Sequence, residues 1–310
     1  MKAIRMHRVG GPSVLRLEEV ARPEPRPGQF LIQVRAAGVN PVDTKIRAGT
    51  FPLFHADLPA IIGRDIAGVV RAVGAGPGKK AFAIGDAVFG MIDYDRGAYA
   101  EYTVASAREL ARRPRGLAER AAGALGVAAL TAWQGLFDHG RLQRGQRVLI
   151  HGGAGGVGHL AVQFAKARGA TVIATASRRE LAWVRSLGAD QVIDHNAERF
   201  EQRTGEIDLV FDLIAGETQE RSWQVLKDRG GLLVSTLTDP SRVQARWHRA
   251  RGLRMVVKAN RGQLEEIARL IVAGKVKVEL AKVYPLAQAR RAHERVEQGH
   301  LRGKVLLKIG

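Results

Sequence analysis

The segment that most restricts the fold is Val148-Leu149-Ile150-His151-Gly152-Gly153-Ala154-Gly155-Gly156-Val157-Gly158, an apolar run leading straight into a glycine-rich loop. Gly153, Gly155 and Gly158 match the spacing G-x-G-x-x-G, and a helix-like stretch, His159 to Arg168, follows at once. The spacing carries meaning only in that order of strand, loop and helix, where backbone N–H groups at a helix amino terminus meet a pyrophosphate. Gly153 is expected to allow the tight turn and Gly155 the close approach of the pyrophosphate. Gly158 lets the helix pack on the strand, and Ala154, Gly156 and Val157 complete the loop around the phosphates. A flexible loop without a ligand is the competing reading.

The next strand bears on the choice of dinucleotide. A chain that binds NAD shows Asp or Glu roughly 20 residues beyond the glycines, where it bonds a ribose hydroxyl. Here Thr171 to Ala176 ends in Ser177-Arg178-Arg179, with no acid between Gly158 and Glu180. A carboxylate would repel a 2′-phosphate, whereas a hydroxyl and two guanidinium groups can bond it. NADPH is therefore the expected cofactor, with Ser177, Arg178 and Arg179 at its phosphate. The rival reading is that either arginine caps a solvated helix start.

The rest of the chain frames this segment. The first 120 residues read as short strands broken by turns at Gly10-Gly11, Pro23 to Gly28 and Gly74 to Gly78, which resembles a compact, partly open barrel. Strand-like pieces there include Ala67 to Val73, Ala87 to Met91 and Ala98 to Val104. From Ala121 to about Ala259, six apolar runs alternate with helical patterns: Val148 to Ile150, Thr171 to Ala176, Gln191 to Ile193, Leu209 to Ile214, Gly231 to Leu237 and Met255 to Val257. That alternation implies a doubly wound parallel sheet. Beyond Gly262, the spacing of Leu264, Ile267, Ala268 and Ile271 is helical. Val305, Leu307 and Ile309 form a last strand that rejoins the first domain. The expected organisation is a discontinuous domain, 1–121 with 260–310, into which an α/β dinucleotide-binding domain, 122–259, is inserted.

Composition narrows the chemistry. With 310 residues and no cysteine, the chain has neither disulfides, thiolate-bound zinc, iron–sulfur clusters nor a cysteine nucleophile. Its 49 Lys+Arg against 30 Asp+Glu leave a charge of +19, which attracts polyanions. The basic residues are scattered except between Arg242 and Arg261, where seven Lys/Arg stand without an acid. An Arg-rich solvated surface is the first reading and nucleic-acid binding the second. No signal peptide is visible, since charges follow Met1 every few residues. The longest uncharged run, Ala121 to Phe137, is seventeen residues, interrupted by glycines and short of the ~20 apolar residues of a spanning helix. A cytoplasmic protein without a membrane anchor is expected.

Taken together, the sequence resembles the zinc-independent quinone oxidoreductase and enone reductase branch of the medium-chain dehydrogenase/reductase superfamily. The resemblance spans essentially the whole chain. Its strongest piece runs from Gly145 through Gly158 to Gln163 and Lys166. Supporting pieces are Gly38-Val39-Asn40-Pro41-Val42-Asp43, Leu58-Pro59 with Gly63 and Asp65, and Gly85-Asp86 with Val88-Phe89-Gly90; Leu130-Thr131-Ala132-Trp133 and Gly303-Lys304-Val305 complete them. It implies a GroES-like β-barrel domain plus a Rossmann domain, NADPH as hydride source, a quinone or an α,β-unsaturated carbonyl as substrate, and a homodimer.

Zinc-dependent relatives carry cysteine where Asn40 stands and histidine where Arg64 stands, so the resemblance implies no metal. Without one, alcohol oxidation loses its means of stabilising an alkoxide. Reduction of an electron-poor double bond needs only contact between nicotinamide and alkene, and hydrogen bonds to the carbonyl oxygen. By carry-over, Asn40, Asp43 and Lys45 form the catalytic set, with Asn40 or Lys45 bonding the enolate oxygen. Many quinone reductases have tyrosine at position 45, so Lys45 points towards enones. Asp43 and Lys45 could instead form a structural ion pair. Thr131, His195, Leu213, Ser235, Thr236, Leu237 and Lys304 are the remaining expected cofactor contacts, with Lys304 alternatively structural. Two other functions compete: an alcohol or sugar dehydrogenase of the same fold, and a dinucleotide-sensing or nucleic-acid-binding protein without turnover.

Overall fold

The computed structural model describes residues 1–52, 57–76 and 78–310. Contacts divide the chain into two compact units, Met1–Leu130 with Lys258–Gly274 and Val278–Gly310, and Thr131–Val257 with Lys275–Lys277. Pro77, in the turn expected at Gly74 to Gly78, lies outside the described residues.

The first unit begins with β1 (Lys2–Met6) and β2 (Leu15–Glu19), paired antiparallel with Ile4 opposite Leu17. The long β3 (Gln29–Val39) follows, and the chain turns at Asn40 into α1 (Pro41–Ala48). This helix starts where it does for local reasons. Asn40 and Asp43 form a reciprocal capping box, Pro41 occupies the first turn, and Gly49 closes the helix at a φ of 77° that suits glycine. Then come β4 (Ala60–Ile61), β5 (Asp65–Val73), β6 (Ala87–Met91), β7 (Tyr102–Ser106) and β8 (Leu110–Arg112). β3 pairs with both β5 and β7, and β6 bridges β5 to β8, all antiparallel. The expected strand at Ala98 to Val104 forms later, at Tyr102–Ser106. Residues 98–100 are held by loop bonds instead, with Ala98 N donating to Ile62 O and Ile4 N to Tyr99 O. Gly97 explains the delay: a Cβ there would stand 2.4 Å from the Ile61 carbonyl oxygen, an approach only glycine permits.

Two short helices, α2 (Glu119–Ala122) and α3 (Gly126–Trp133), and a π-helical turn at Gln134–His139 take up the uncharged run. The second unit then alternates strand and helix: β9 (Arg147–Ile150), α4 (Gly158–Ala167), β10 (Thr171–Ala176), α5 (Leu181–Ser186), β11 (Gln191–Asp194), β12 (Leu209–Asp212), α6 (Gly216–Ser222), β13 (Leu232–Ser235), α7 (Arg242–Trp247) and β14 (Arg251–Arg254). All six strands are parallel, in the order β11-β10-β9-β12-β13-β14. Its inner strands are buried along their length, as the continuous apolar runs require, and Leu149, Ile173, Val210 and Leu233 share one core cluster. The sixth strand lies at Arg251–Arg254 rather than at Met255 to Val257. As an edge strand exposed at three of its four residues, it needs no apolar signature, which is why the pattern misplaced it.

The chain returns to the first unit through α8 (Arg261–Val272), which buries Leu264, Ile267 and Ala268 as their spacing predicted. After β15 (Leu280–Pro285) and α9 (Ala289–Glu297), β16 (Lys304–Lys308) pairs antiparallel with β3, Val305 facing Val39. The last strand therefore rejoins the sheet of the first unit. No described helix is long and apolar enough to cross a membrane.

One core residue of this unit makes stability depend on pH. His293 on α9 is fully buried edge-on against the Tyr99 ring, 5.7 Å between centroids, and neither ring nitrogen has a partner among the described residues. Burial, reinforced by the nearby Arg47 cation, lowers its pKa to about 3 from 6.5. Between those values the unfolded chain binds a proton that the folded one refuses, so stability drops as pH falls. His293→Leu should reduce the acid loss of stability by up to about 1.4 kcal/mol for each pH unit below 6.5. Urea titrations at pH 7.5 and pH 5 check this; equal acid sensitivity in both proteins would contradict it.

Candidate active site

In the first unit, the polar residues after β3 converge on one buried carboxylate. Asp65, fully buried at the start of β5, accepts Asn40 Nδ2 at 3.0 Å and Val127 N at 2.5 Å, and lies 3.4 Å from Lys304 Nζ. Lys304 Nζ also donates to Asn40 Oδ1, in a short contact. Four segments distant in sequence thus meet there: the start of α1, the start of β5, the start of α3 and the start of β16. Glycine makes the room, for a Cβ at Gly38 would stand 2.4 Å from Asp65 Oδ2 and one at Gly126 2.7 Å from Oδ1.

Asn40 is therefore placed with rigour but is also heavily engaged. Its Oδ1 takes Lys304, its Nδ2 gives one hydrogen to Asp65, and its backbone N–H donates to Asp43 Oδ2 at 2.8 Å. Asp43 is fully buried and its Oδ2 also accepts the Tyr99 hydroxyl at 2.9 Å, while its Oδ1 has no partner among the described residues. Burial raises the Asp43 pKa to about 6, helped by the Asp65 charge and opposed by its hydrogen bonds and Lys304. Burial and the Asp43 charge push the Tyr99 phenol well above its usual value. The possible ion pair between Asp43 and Lys45 is not formed. Two residues apart on a helix they point roughly 200° apart, and Lys45 is exposed. Lys304, expected at the cofactor, has its ammonium committed to Asn40 and Asp65.

Arg64 is 4 % exposed; its Nε donates to Ile92 O at 3.0 Å and its guanidinium lies 3.8 Å from the centre of the Tyr94 ring. This permanent cation cannot ligate a metal and would repel one. Among the described residues, no group of three or more His, Asp or Glu side chains is arranged to hold a metal ion.

In the second unit the glycine loop joins β9 to α4 at the carboxyl ends of the strands, where open α/β sheets bind ligands. The left-handed residue of the turn is Gly152, at a φ of 70°, rather than Gly153. Gly153 instead packs on β10: its N–H donates to Thr175 O at 2.8 Å, and a Cβ there would lie 3.0 Å from the Ala174 Cβ. Gly158 is required within the loop, since a Cβ would come 2.1 Å from Gly152 O. Around Gly155, chain neighbours aside, a single protein atom lies within 4 Å of an added Cβ, Gly152 O at a tight 3.3 Å, far less obstructed than at Gly158. Ala154 is buried, whereas Gly156 and Val157 are partly exposed beside α4's amino terminus. A pyrophosphate fits this cradle on steric and electrostatic grounds.

The loop rests on polar ties that sequence reasoning missed. Thr175 Oγ1 accepts Gly152 N at 3.1 Å and lies 3.3 Å from His151 Nδ1, whose other nitrogen meets Ser222 Oγ at 2.9 Å. His151 is fully buried, and burial lowers its pKa to about 4, so it is a neutral strut. Asp212 does the same for β12 and β13, accepting Ile214 N and Ala215 N on one oxygen, and Gln219 and Ser235 on the other. Ser235 is thus a buried support, and Thr236 N reaches Asp212 O at 3.2 Å. Leu213, Thr236 and Leu237 remain partly exposed at the strand ends, Thr131 is buried, and His195 is exposed beyond β11. Ser177 is half-buried at the end of β10, followed by exposed Arg178 and Arg179, neither of which pairs with a carboxylate among the described residues. The basic stretch Arg242 to Arg261 is broken up: Arg249, Arg254 and Arg261 pair with Asp228, Asp239 and Glu265.

Comparison with known proteins agrees with both halves. A profile of the alcohol dehydrogenase GroES-like domain matches residues 26–115, and one described as zinc-binding dehydrogenase matches residues 187–307. The chain is 36% identical to the NADPH-dependent alkenal/one oxidoreductase, chloroplastic, of Arabidopsis thaliana, over 99% of this chain and 79% of that protein. It superimposes on the quinone oxidoreductase of Coxiella burnetii with a TM-score of 0.92 and 36% identity, covering 100% of this chain and 99% of that one. For the Escherichia coli quinone oxidoreductase complexed with NADPH the TM-score is 0.90 at 30% identity, covering 99% and 100%.

The two loop glycines should respond differently to an added methyl group. Gly155→Ala should keep the thermal midpoint of unfolding but weaken dinucleotide binding at least about tenfold, or ~1.4 kcal/mol, by filling the cradle. Gly158→Ala should lower the midpoint as well. Calorimetric titration beside thermal denaturation checks both; unaltered affinity in Gly155→Ala would contradict the placement of the pyrophosphate.

Proposed function

From the premise that the chain belongs to the quinone oxidoreductase and enone reductase branch of the medium-chain dehydrogenase/reductase superfamily, we propose that it is an NADPH-dependent, metal-free reductase of quinones or α,β-unsaturated carbonyls. The observation that carries this reading is the cluster of Asn40, Asp65 and Lys304, preceded directly in sequence by the buried Arg64: a guanidinium and an engaged amide stand at two positions where zinc-dependent relatives have ligands. Such a site lacks a Lewis acid for alcohol oxidation but offers cations and N–H donors to an oxygen that gains charge.

When bound, the nicotinamide supplies a hydride; the remaining chemistry falls to the chain. The glycine loop and α4 orient the pyrophosphate, and Ser177, Arg178 and Arg179 bond the 2′-phosphate. The Asp65–Lys304 pair holds Asn40, and Asn40 with Asp43 fixes the start of α1. Lys45, exposed on that helix, is available to a substrate arriving from solvent. The reading extends to a homodimer, supported by the open edge of β14, where Arg251–Arg254 offer unpaired backbone groups.

Replacing Arg178 and Arg179 together by Ala should raise the Kd for NADPH at least about tenfold while leaving that for NADH within about twofold, each tenfold being ~1.4 kcal/mol. Fluorescence titration with both dinucleotides decides it, and equal losses would remove the arginines from the phosphate. The reductase reading itself is tested by NADPH oxidation against quinones, enals, enones and alcohols, after exhaustive chelation. Turnover of quinones or enones is expected; turnover restored only by added zinc would overturn it.

A further inference from the structure

Hydride addition to an alkene conjugated with a carbonyl leaves negative charge on the carbonyl oxygen, which needs a donor in water-poor surroundings. The expected donors are partly spent. Asn40 Nδ2 gives one of its two hydrogens to Asp65, and Lys304 Nζ gives two of its three to Asn40 and Asp65. Lys45 is exposed, and a hydrated ammonium contributes little to an oxygen in a closed site.

Arg64 differs from all three. It is buried, its Nε is satisfied by Ile92 O, and its guanidinium is stacked on Tyr94, yet its Nη1 is buried without a hydrogen-bond partner among the described residues. No carboxylate among the described residues pairs with it. A buried cation with an unused N–H is costly, and an oxygen bearing negative charge removes that cost. Arg64 directly precedes Asp65, and the Tyr94 ring on which it stacks lies near enough to feel the charges of both Arg64 and Asp43.

We propose that Arg64 is a catalytic residue, whose Nη1 donates a hydrogen bond to the substrate carbonyl oxygen as that oxygen becomes an enolate oxygen. The proposal rests on the reductase reading above. The hydride forms the new C–H bond at the β-carbon, and the dihydronicotinamide is what is oxidised. The alkene pair moves between the α-carbon and the carbonyl carbon, and the carbonyl pair moves onto oxygen. Arg64 remains protonated throughout and gives up no proton; water supplies the one that ends on the α-carbon.

Two readouts test this in the full-length protein. The first needs no cofactor and uses p-nitrophenol as a stable analogue of an enolate oxygen. Bound to the wild type, its apparent pKa should fall by about one unit, a tenfold preference for the phenolate, and Arg64→Met should abolish the fall. The second is steady-state reduction of a neutral enone. Arg64→Met should lower kcat about 100-fold with little change in KM, and guanidinium ion should partly restore Arg64→Ala. If Arg64→Met does not fold, Arg64→Lys and Arg64→Gln carry the same comparison. Wild-type kcat in the Arg64 variants, a loss confined to the KM of carboxylate-bearing substrates, or a larger kcat loss in Lys45→Met would each overturn the proposal. The two readings fail separately. A wild type that reduces no enone or quinone, yet binds phenolate through Arg64, sinks the reductase reading and reduces Arg64 to an anion site. Activity without any Arg64-dependent phenolate preference sinks Arg64 alone.

Discussion

The buried carboxylate of Asp65 organises the first unit's polar site. Within hydrogen-bond distance it gathers the amide of Asn40, the ammonium of Lys304 and the Val127 N–H at the start of α3. An ion pair so buried contributes modest net stability against an apolar alternative, but removing one partner leaves an unpaired charge that costs about 3–5 kcal/mol. Its value therefore lies in position. Because Lys304 comes from the last strand and Asn40 from the end of β3, the antiparallel pairing of β16 with β3 is a condition for the site to exist. The pairing also explains why the chain returns to its first unit after the parallel sheet is complete.

The second unit is built to a different rule. Its glycine loop is shaped by backbone contacts that no side chain could share, at Gly158 above all, and is held from below by a polar network. Thr175 and a neutral His151 support one side, and Asp212 with Ser235 the other. The charges facing outward, Arg178 and Arg179, are left uncommitted. The first unit thus gathers buried charges around Asp65, while the second buries the carboxylate of Asp212 in hydrogen bonds and leaves Arg178 and Arg179 exposed. The overall excess of +19 is mainly a surface property, and the dense stretch Arg242 to Arg261 is broken by pairs with acids distant in sequence.

Much of this architecture was legible in the sequence because it rests on periodicity and on glycine. The buried strands from β9 to β13 read as apolar runs, and α8 as a helical spacing. What the pattern missed follows from physics that local sequence does not carry. β14 is polar because an edge strand need not be buried, and β7 begins late because Gly97 presses against Ile61. Gly152, not Gly153, makes the left-handed turn, since two adjacent glycines look alike until the backbone is placed. Asn40 and Lys304 were both singled out from the sequence, but their contact, 264 positions apart, was not foreseen. Nor was the buried, unpartnered Nη1 of Arg64 among the described residues, which shows only once its neighbours are placed.

The proposed reaction delivers hydride to a carbon conjugated with a carbonyl rather than to the carbonyl carbon itself. It is tested most directly by reducing an enone with NADPH deuterated at the transferring position and locating the label in the product by NMR. Deuterium at the β-carbon of a saturated ketone is the predicted result. Deuterium on the carbinol carbon of an allylic alcohol would contradict the account.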